Sequence, residues 1–281
     1  MNILNRTLLL ALVMTWQLTI GTMAFGQDGS AKTPDADAAK MREILDRSVE
    51  MFQVSPVRDR SIDMTPKSVL RWTNDERDSQ SAGLVVLWID RGLPTASMAT
   101  YSWAGLLHHE FDILSREPVV AKQSTTTVWQ PKTGLKFRSI PEAPAVALTP
   151  SARLRQIKGL SEQFSATMMG WRPDKSDRNE LRRLPRELYR YQPEKTEIVD
   201  GAVYAFVQGT DPEALLLIEA INLNSQVEWQ YAFVRQTSGE LQGRHNDQVV
   251  WTAEMHGNRN DQTAGGVSFR SSLDLQVELA K

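Results

Sequence analysis

Five consecutive residues, His108-His109-Glu110-Phe111-Asp112, form the densest run of side chains able to move a proton or hold a metal. The run is not the helical zinc motif, whose two histidines stand four residues apart, because Ile113 occupies the second place. On a strand, alternate residues share a face. His108, Glu110 and Asp112 then form one set, and Leu107, His109, Phe111 and Ile113 the other. The first set offers an imidazole and two carboxylates to a metal or to acid–base chemistry, although a solvated polar strand face uses the same pattern more often. The second set buries His109 among apolar neighbours, as a hydrogen-bonded core histidine with a lowered pKa. Asp211 and Glu213 flank Pro212 and could act as an acid–base pair, but Asp-Pro also has a sufficient structural reason at a turn. His108, His109, Glu110, Asp112, Asp211 and Glu213 are therefore the candidate ligand-binding residues. No metal site and no cofactor is assigned.

Other chemistries lack their residues. No Gly-x-Ser-x-Gly elbow anchors a hydrolase triad, and Gly265-Gly266 lacks the spacing and following lysine of a phosphate loop. The absence of cysteine removes disulfides, thiol nucleophiles and thiolate metal sites. Lys plus Arg numbers 32 against 34 for Asp plus Glu, which leaves no basic footprint for nucleic acid. His245 and His256 lie in polar, turn-like surroundings and read as surface. The eight tryptophans read as core or as the wall of a ligand site.

The beginning of the chain has the pattern of a secretory signal. Arg6 supplies the positive region, Leu8 to Ile20 the apolar one, and Ala24-Phe25-Gly26 the small residues before a cut at Gln27. The competing reading is an uncleaved anchor, since Leu8 to Phe25 approaches the length of a span. No other segment is long and apolar enough to cross a bilayer, so the expectation is an exported, soluble protein, periplasmic or extracellular.

The elements that must position the candidates follow in order. After a flexible lead, Asp35 to Phe52 is an amphipathic helix with Met41, Ile44, Leu45, Val49 and Phe52 on one face. From Lys67 the period becomes two. Strands are predicted over 68–73, 84–90, 95–103, 106–114 and 119–129, with 74–79 a solvated loop. Thr149-Pro150 caps a helix running to Met168, with Leu154, Ile157, Leu160, Phe164 and Met168 inward, Arg153, Arg155 and Lys158 turned mostly away, and Gly170 closing it. The charge-dense stretch 171–190 reads as a solvated linker. Further strands are expected over 188–192, 202–208, 215–221, 227–235, 248–254 and 267–279. The segment after Asp211-Pro212 also has a helix start, but the strand is preferred.

That preference comes from an internal repeat. A shift of 118 residues places Gly83 on Gly201, Val85 on Val203, Trp88 on Phe206, Pro94 on Pro212 and Ala96 on Ala214. Trp72 falls on Arg190, beside Tyr189. With small gaps, His109-Glu110-Phe111 meets Trp229-Gln230-Tyr231, and Val128-Trp129 meets Val250-Trp251. The stretches Leu188-Tyr189-Arg190-Tyr191, Asp200 to Glu213, Trp229-Gln230-Tyr231-Ala232 and Val250-Trp251 resemble an exported bacterial family of unknown function with a duplicated β-module. Gly92-Leu93-Pro94-Thr95-Ala96, His109-Glu110-Phe111 and Arg153-Leu154-Arg155-Gln156-Ile157 extend that resemblance over most of the chain after residue 26. It implies export and a duplicated fold, and brings no activity. The family tends to carry histidine after Glu-Phe, where this chain has Asp112.

The expected fold class is α+β: two antiparallel β-meander modules related by duplication, joined by the amphipathic helix, plus the N-terminal helix. The expected organisation is a signal peptide (1–26), lead and helix (27–66), first β-module (67–142), linker and helix (143–187) and second β-module (188–281). Two functions remain open at this level. One is a non-enzymatic module binding an unidentified small molecule or protein partner. The other is an exported hydrolase or metal-assisted enzyme built on His108, Glu110 and Asp112.

Overall fold

Antiparallel strands dominate the computed structural model, which describes residues 34–74, 81–169, 178–255, 260–271 and 275–280. The first module opens with α1 (Pro34–Glu50) and runs through β1 (Phe52–Pro56), β2 (Thr65–Asn74), β3 (Ser81–Asp90), β4 (Leu93–Trp103), β5 (Leu106–Ile113), β6 (Val119–Gln123) and β7 (Thr126–Trp129). The short β8 (Arg138–Ser139) leads to α2 (Pro150–Ser161), β9 (Phe164–Met169), β10 (Asn179–Arg183) and β11 (Tyr189–Tyr191). The second hairpin series is β12 (Ile198–Gln208), β13 (Asp211–Leu223), β14 (Gln226–Arg235), β15 (Glu240–His245) and β16 (Gln248–Ala253). The chain ends with β17 (Gly266–Arg270) and α3 (Leu275–Ala280). The α+β class with antiparallel meanders is as expected. The signal segment, the 75–79 part of the predicted loop and His256 lie outside the described residues.

Two large sheets pack back to back, each with a helix on its outer face. The first has strand order β17-β5-β4-β3-β2. The second runs β16-β15-β9-β10-β12-β13-β14-β8, with β11 also on β12. Period-two alternation explains the layering. On β3, Leu84, Val86 and Trp88 face α1 residues Ile44, Leu45 and Val49, while Leu87 points the other way. On β12 and β13, Ala202, Tyr204, Phe206, Leu216 and Ile218 join Ile157 and Leu160 of α2. Val203, Ala205, Val207, Leu215, Leu217 and Ile221 meet Leu87 and Leu114 between the sheets. Everything from Pro34 onward forms one compact unit. A small third sheet, β1-β6-β7, completes the core around α1.

The hairpins at the heart of the two modules share their irregularities. β3 and β4 slip register between Trp88/Ala96 and Ile89/Pro94; β12 and β13 slip between Phe206/Ala214 and Val207/Pro212. Each slip precedes a proline, which can donate no ladder hydrogen bond, so a bulge accommodates it. Gly83 sits beneath the Trp72 indole and Gly201 beneath the Tyr191 ring; an added Cβ would come within 2.3 and 2.4 Å of those rings. Strand, not helix, is thus the state of Asp211–Leu223. The register also corrects the alignment of the next strand. Thr100 pairs with His109 and the corresponding Ile218 with Tyr231, so Tyr231 rather than Trp229 occupies the place of His109.

Several boundaries differ from the sequence expectations. Thr149 caps α2 through Ala152 N–H, with Pro150 in the first turn, but the helix stops at Ser161. Phe164, Ala166 and Met168 lie inward on β9, held between β15 and β10. Residues at i, i+4 on a helix and i, i+2 on a strand can both be apolar, and pairing partners decided the outcome. Arg153 is buried, not turned away. The 119–129 strand is a hairpin folded at Ser124, which has φ of 54°. The predicted 267–279 strand divides into β17 and α3, and the charge-dense linker contains β10, where only Leu181 points into the core.

Candidate functional site

The structure buries both faces of β5. His108, Glu110 and Asp112 are nearly inaccessible, so the solvated face expected for them is absent. The cause is β17 on one side and the second sheet above, which together remove this face from water. His108 stacks on Tyr101 at 5.4 Å and meets Trp103 at 5.7 Å. Tyr101 Oη donates to Glu110 Oε1 at 2.9 Å. Asp112 Oδ2 accepts from Gln236 Nε2 at 3.0 Å, and burial, reinforced by the Glu110 charge and opposed by Arg235, raises its pKa well above the carboxylate range. Among the described residues, no three His, Asp or Glu side chains are arranged to hold a metal ion.

His109 lies on the other face of β5, as expected, but without the hydrogen bonds expected of a buried histidine. Phe52 approaches it edge-on at 4.9 Å and Phe269 at 5.7 Å, and neither ring nitrogen finds a partner among the described residues. Burial first, and then the neighbouring His108 charge, lowers its pKa to about 3. It is a neutral packing element inside an aromatic cage.

Gln236 joins this face to the second hairpin. Its backbone N–H donates to the Glu213 carbonyl at 2.8 Å, while its side-chain amide reaches Ser97 and Asp112. Glu213 is buried, while Asp211 at the strand start is only half-buried. The candidates of β5 and the Glu213 segment are therefore neighbours across the sheet interface. A cavity of about 20 Å³ beside Glu110 and Asp112 has room for roughly one water. His245, expected at the surface, is buried against Phe164 at 4.7 Å, with Nε2 3.0 Å from Gln163 Oε1. Burial lowers its pKa, with Glu142 opposing.

A larger concavity lies at the opposite end of the interface. Its volume is about 220 Å³, below the usual range of about 300–1,000 Å³ for drug-sized ligands, so it suits a small molecule. The start of β4 contributes Leu93 and Thr95, the β5–β6 connection Leu114 and Arg116, and β12 and β13 contribute Ile198 and Glu219. The type I′ turn at Arg91-Gly92, with φ of 48° and 88°, brings one wall into position. Glu219 is the most deeply buried charge there. Tyr191 Oη donates to its Oε1 at 2.8 Å, and Arg116 Nη1 lies 2.6 Å from its Oε2. Arg116 also donates to Gln230 and lies over the Phe137 ring at 3.8 Å, which fixes its guanidinium. Burial raises the Glu219 pKa, with Arg116 and Tyr191 opposing.

Glu219 did not stand out in the sequence because it sits inside the apolar run Leu215 to Ile221, where one acid resembles a strand-edge residue. The available signal was its parity: it shares a face with Leu215, Leu217 and Ile221, a face with no reason to carry charge. A second buried acid, Asp200, was equally silent. It accepts from Arg153 at 2.8 Å, from Arg190 at 2.8 Å and from Gln192 at 2.7 Å. Arg153 also bonds the Leu148 carbonyl and Arg190 that of Pro150, so this network ties the start of α2 to β11 and β12. No family model, no curated protein and no solved structure matches the chain.

Proposed function

We propose that the protein is an exported, non-enzymatic module that binds a small molecule in the cleft between its two β-modules. One observation carries the reading: a cavity of about 220 Å³ walled by both modules, mostly apolar, with buried Glu219 in its lining. Sites of this kind orient a ligand through a few fixed polar groups on an apolar wall. The N-terminal residues support export, and no helix among the described residues is long and apolar enough to cross a membrane. The matched bulges and glycines support descent of the two modules from one duplicated unit. The β5 acids are better explained as interface packing, since Asp112 and Glu110 already accept hydrogen bonds from Gln236 and Tyr101.

The test is an NMR screen of small aromatic fragments against the chain lacking residues 1–26. Bound fragments should shift the amides of Thr95, Leu114, Val119 and Ile198 together. Leu93→Trp, which fills the cleft from its partly buried wall, should remove those shifts while leaving the fold intact. Fragments that bind elsewhere, or binding indifferent to Leu93→Trp, would overturn the reading.

A further inference from the structure

The ionic lining of the cleft specifies more than size. Four acids (Asp90, Glu117, Glu197 and Glu219) and three arginines (Arg58, Arg91 and Arg116) line it, leaving one negative charge over. The two signs are not distributed alike. Arg58 and Arg91 are solvated at the rim, paired with Glu117 and Asp90 at 3.3 Å in each case. The side chains of Asp90 and Glu219, by contrast, are 10% and 4% exposed. The buried acids are Asp90 and Glu219, whereas the mouth carries both signs, with exposed Glu117 and Glu197 beside Arg58 and Arg91.

Glu219 is also incompletely satisfied. Its Oε1 accepts from Tyr191, but its Oε2 has no aligned hydrogen-bond donor among the described residues. Arg116 Nη1 lies 2.6 Å from that oxygen as an ion pair, while its guanidinium also donates to Gln230 and lies over the Phe137 ring. A buried carboxylate oxygen without a donor retains its desolvation cost until something donates to it. Burial accordingly holds the carboxyl above its ordinary range despite the nearby arginine.

We infer that the cleft takes a small organic cation, an amine on an apolar body, whose N–H donates to Glu219 Oε2. The apolar part would lie against Leu93, Leu114, Ile198 and Ile221. The inference rests on the cleft being a ligand site, and its test separates the two. Three probes of one shape and different charge are titrated near neutral pH: benzylamine, benzyl alcohol and benzoate. Benzylamine should bind roughly ten- to a hundredfold more tightly than the alcohol, as a charge-assisted hydrogen bond in a buried site requires. Glu219→Gln, which keeps an acceptor for Tyr191, should reduce benzylamine to the level of the alcohol. Arg116→Gln removes the internal cation and should tighten benzylamine binding, and it keeps the test open should Glu219→Gln fail to fold. Benzoate binding as well as benzylamine would overturn the cation assignment while leaving the cleft a ligand site. Benzylamine binding unchanged in Glu219→Gln, or not tightened in Arg116→Gln, would overturn the role of Glu219. If none of the three probes shifts the cleft amides, the ligand site itself fails, and this inference with it.

Discussion

Two rows of three residues, one in each module, show how the same backbone can be put to different use. In the first module Trp72, Gly83 and Tyr101 lie side by side across β2, β3 and β4; in the second, Tyr191, Gly201 and Glu219 lie across β11, β12 and β13. The glycine is common to both because an aromatic ring lies where its side chain would be. The outer positions differ in chemistry. Tyr101 donates outward to Glu110 on the next strand, whereas Tyr191 donates inward to Glu219. One row closes a packed interface and the other supplies a buried acid to a cleft. A matching pair also differs on the helix-facing side, where His109 stands in the place of Tyr231.

The largest separable effect should come from that second pair. His109 has a folded pKa of about 3 against about 6.5 unfolded, so it is neutral in the native state. Below about pH 6.5 the unfolded chain takes up a proton that the native chain refuses. Stability is therefore present above that pH and lost as pH falls toward 3, by about 1.4 kcal/mol per pH unit and roughly 5 kcal/mol in full. Asp112 acts in the opposite direction, since its raised pKa contributes stability that is lost as pH rises. Urea melts from pH 7 to 4 should show His109→Phe flattening the acid limb relative to wild type. Tyr231→Phe has no imidazole to remove and should leave the limb as it is. An acid limb unchanged in His109→Phe would place the imidazole in water.

Next in size are the core anchors, Trp88 and its counterpart Phe206. Both are fully buried, each facing the helix of its own module. Replacement by alanine should cost about 3–5 kcal/mol in either case. Denaturant melts should remain single transitions, because residues from Pro34 onward form one compact unit. Two resolved transitions in Phe206→Ala would mean that the modules unfold separately.

How much of this was legible depends on which force decided each element. The continuous apolar runs over 84–90 and 202–208 and the Thr149-Pro150 cap are local signals, and the strands and helix start stand where those signals place them. β9 and β10 were not legible, because Phe164 and Met168 suit a helix face as well as a strand face, and β10 shows the core only Leu181. β15 carries Glu240, Gln242 and Arg244 outward and depends on β9 and β16 for its pairing. The site divided in the same way. The parity of β5 correctly separated His109 from His108, Glu110 and Asp112, but which face met water was set by the second sheet. Glu219 mattered only once Tyr191 and Arg116, 28 and 103 positions earlier in the chain, arrived beside it.

A smaller effect tests the glycine rows. Gly83→Ala and Gly201→Ala would each drive a methyl into an aromatic ring packed against the strand. Overpacking of this kind costs about 1–3 kcal/mol. The two losses should be similar, and Gly201→Ala should also disturb the cleft, because the displaced Tyr191 is the donor to Glu219. Gly83→Ala should leave fragment binding unchanged. A loss of binding in both would mean that the cleft responds to general loosening rather than to that hydroxyl.

The smallest effect is the most specific. Tyr191→Phe and Tyr101→Phe each delete one hydroxyl that donates to a glutamate, at 2.8 and 2.9 Å. Tyr191 and Glu219 are both nearly fully buried, so removing the donor leaves a desolvated carboxylate with Arg116 alone, at a cost of about 1–3 kcal/mol. Tyr101 is only half-buried, so water can replace its hydroxyl in part, and the loss should stay below about 1 kcal/mol. The pH dependence separates the two further. A carboxyl with a raised folded pKa contributes stability that is present at low pH and lost as pH rises through that value. Deleting the Tyr191 hydroxyl removes an interaction that lowers the Glu219 pKa, so the deficit of Tyr191→Phe should widen as pH rises through the ionisation of Glu219. Melts of both variants at two pH values measure this directly. Equal deficits in the two variants, or a Tyr191→Phe deficit that does not grow with pH, would show that Glu219 gains nothing from its tyrosine and that the two rows differ in sequence alone.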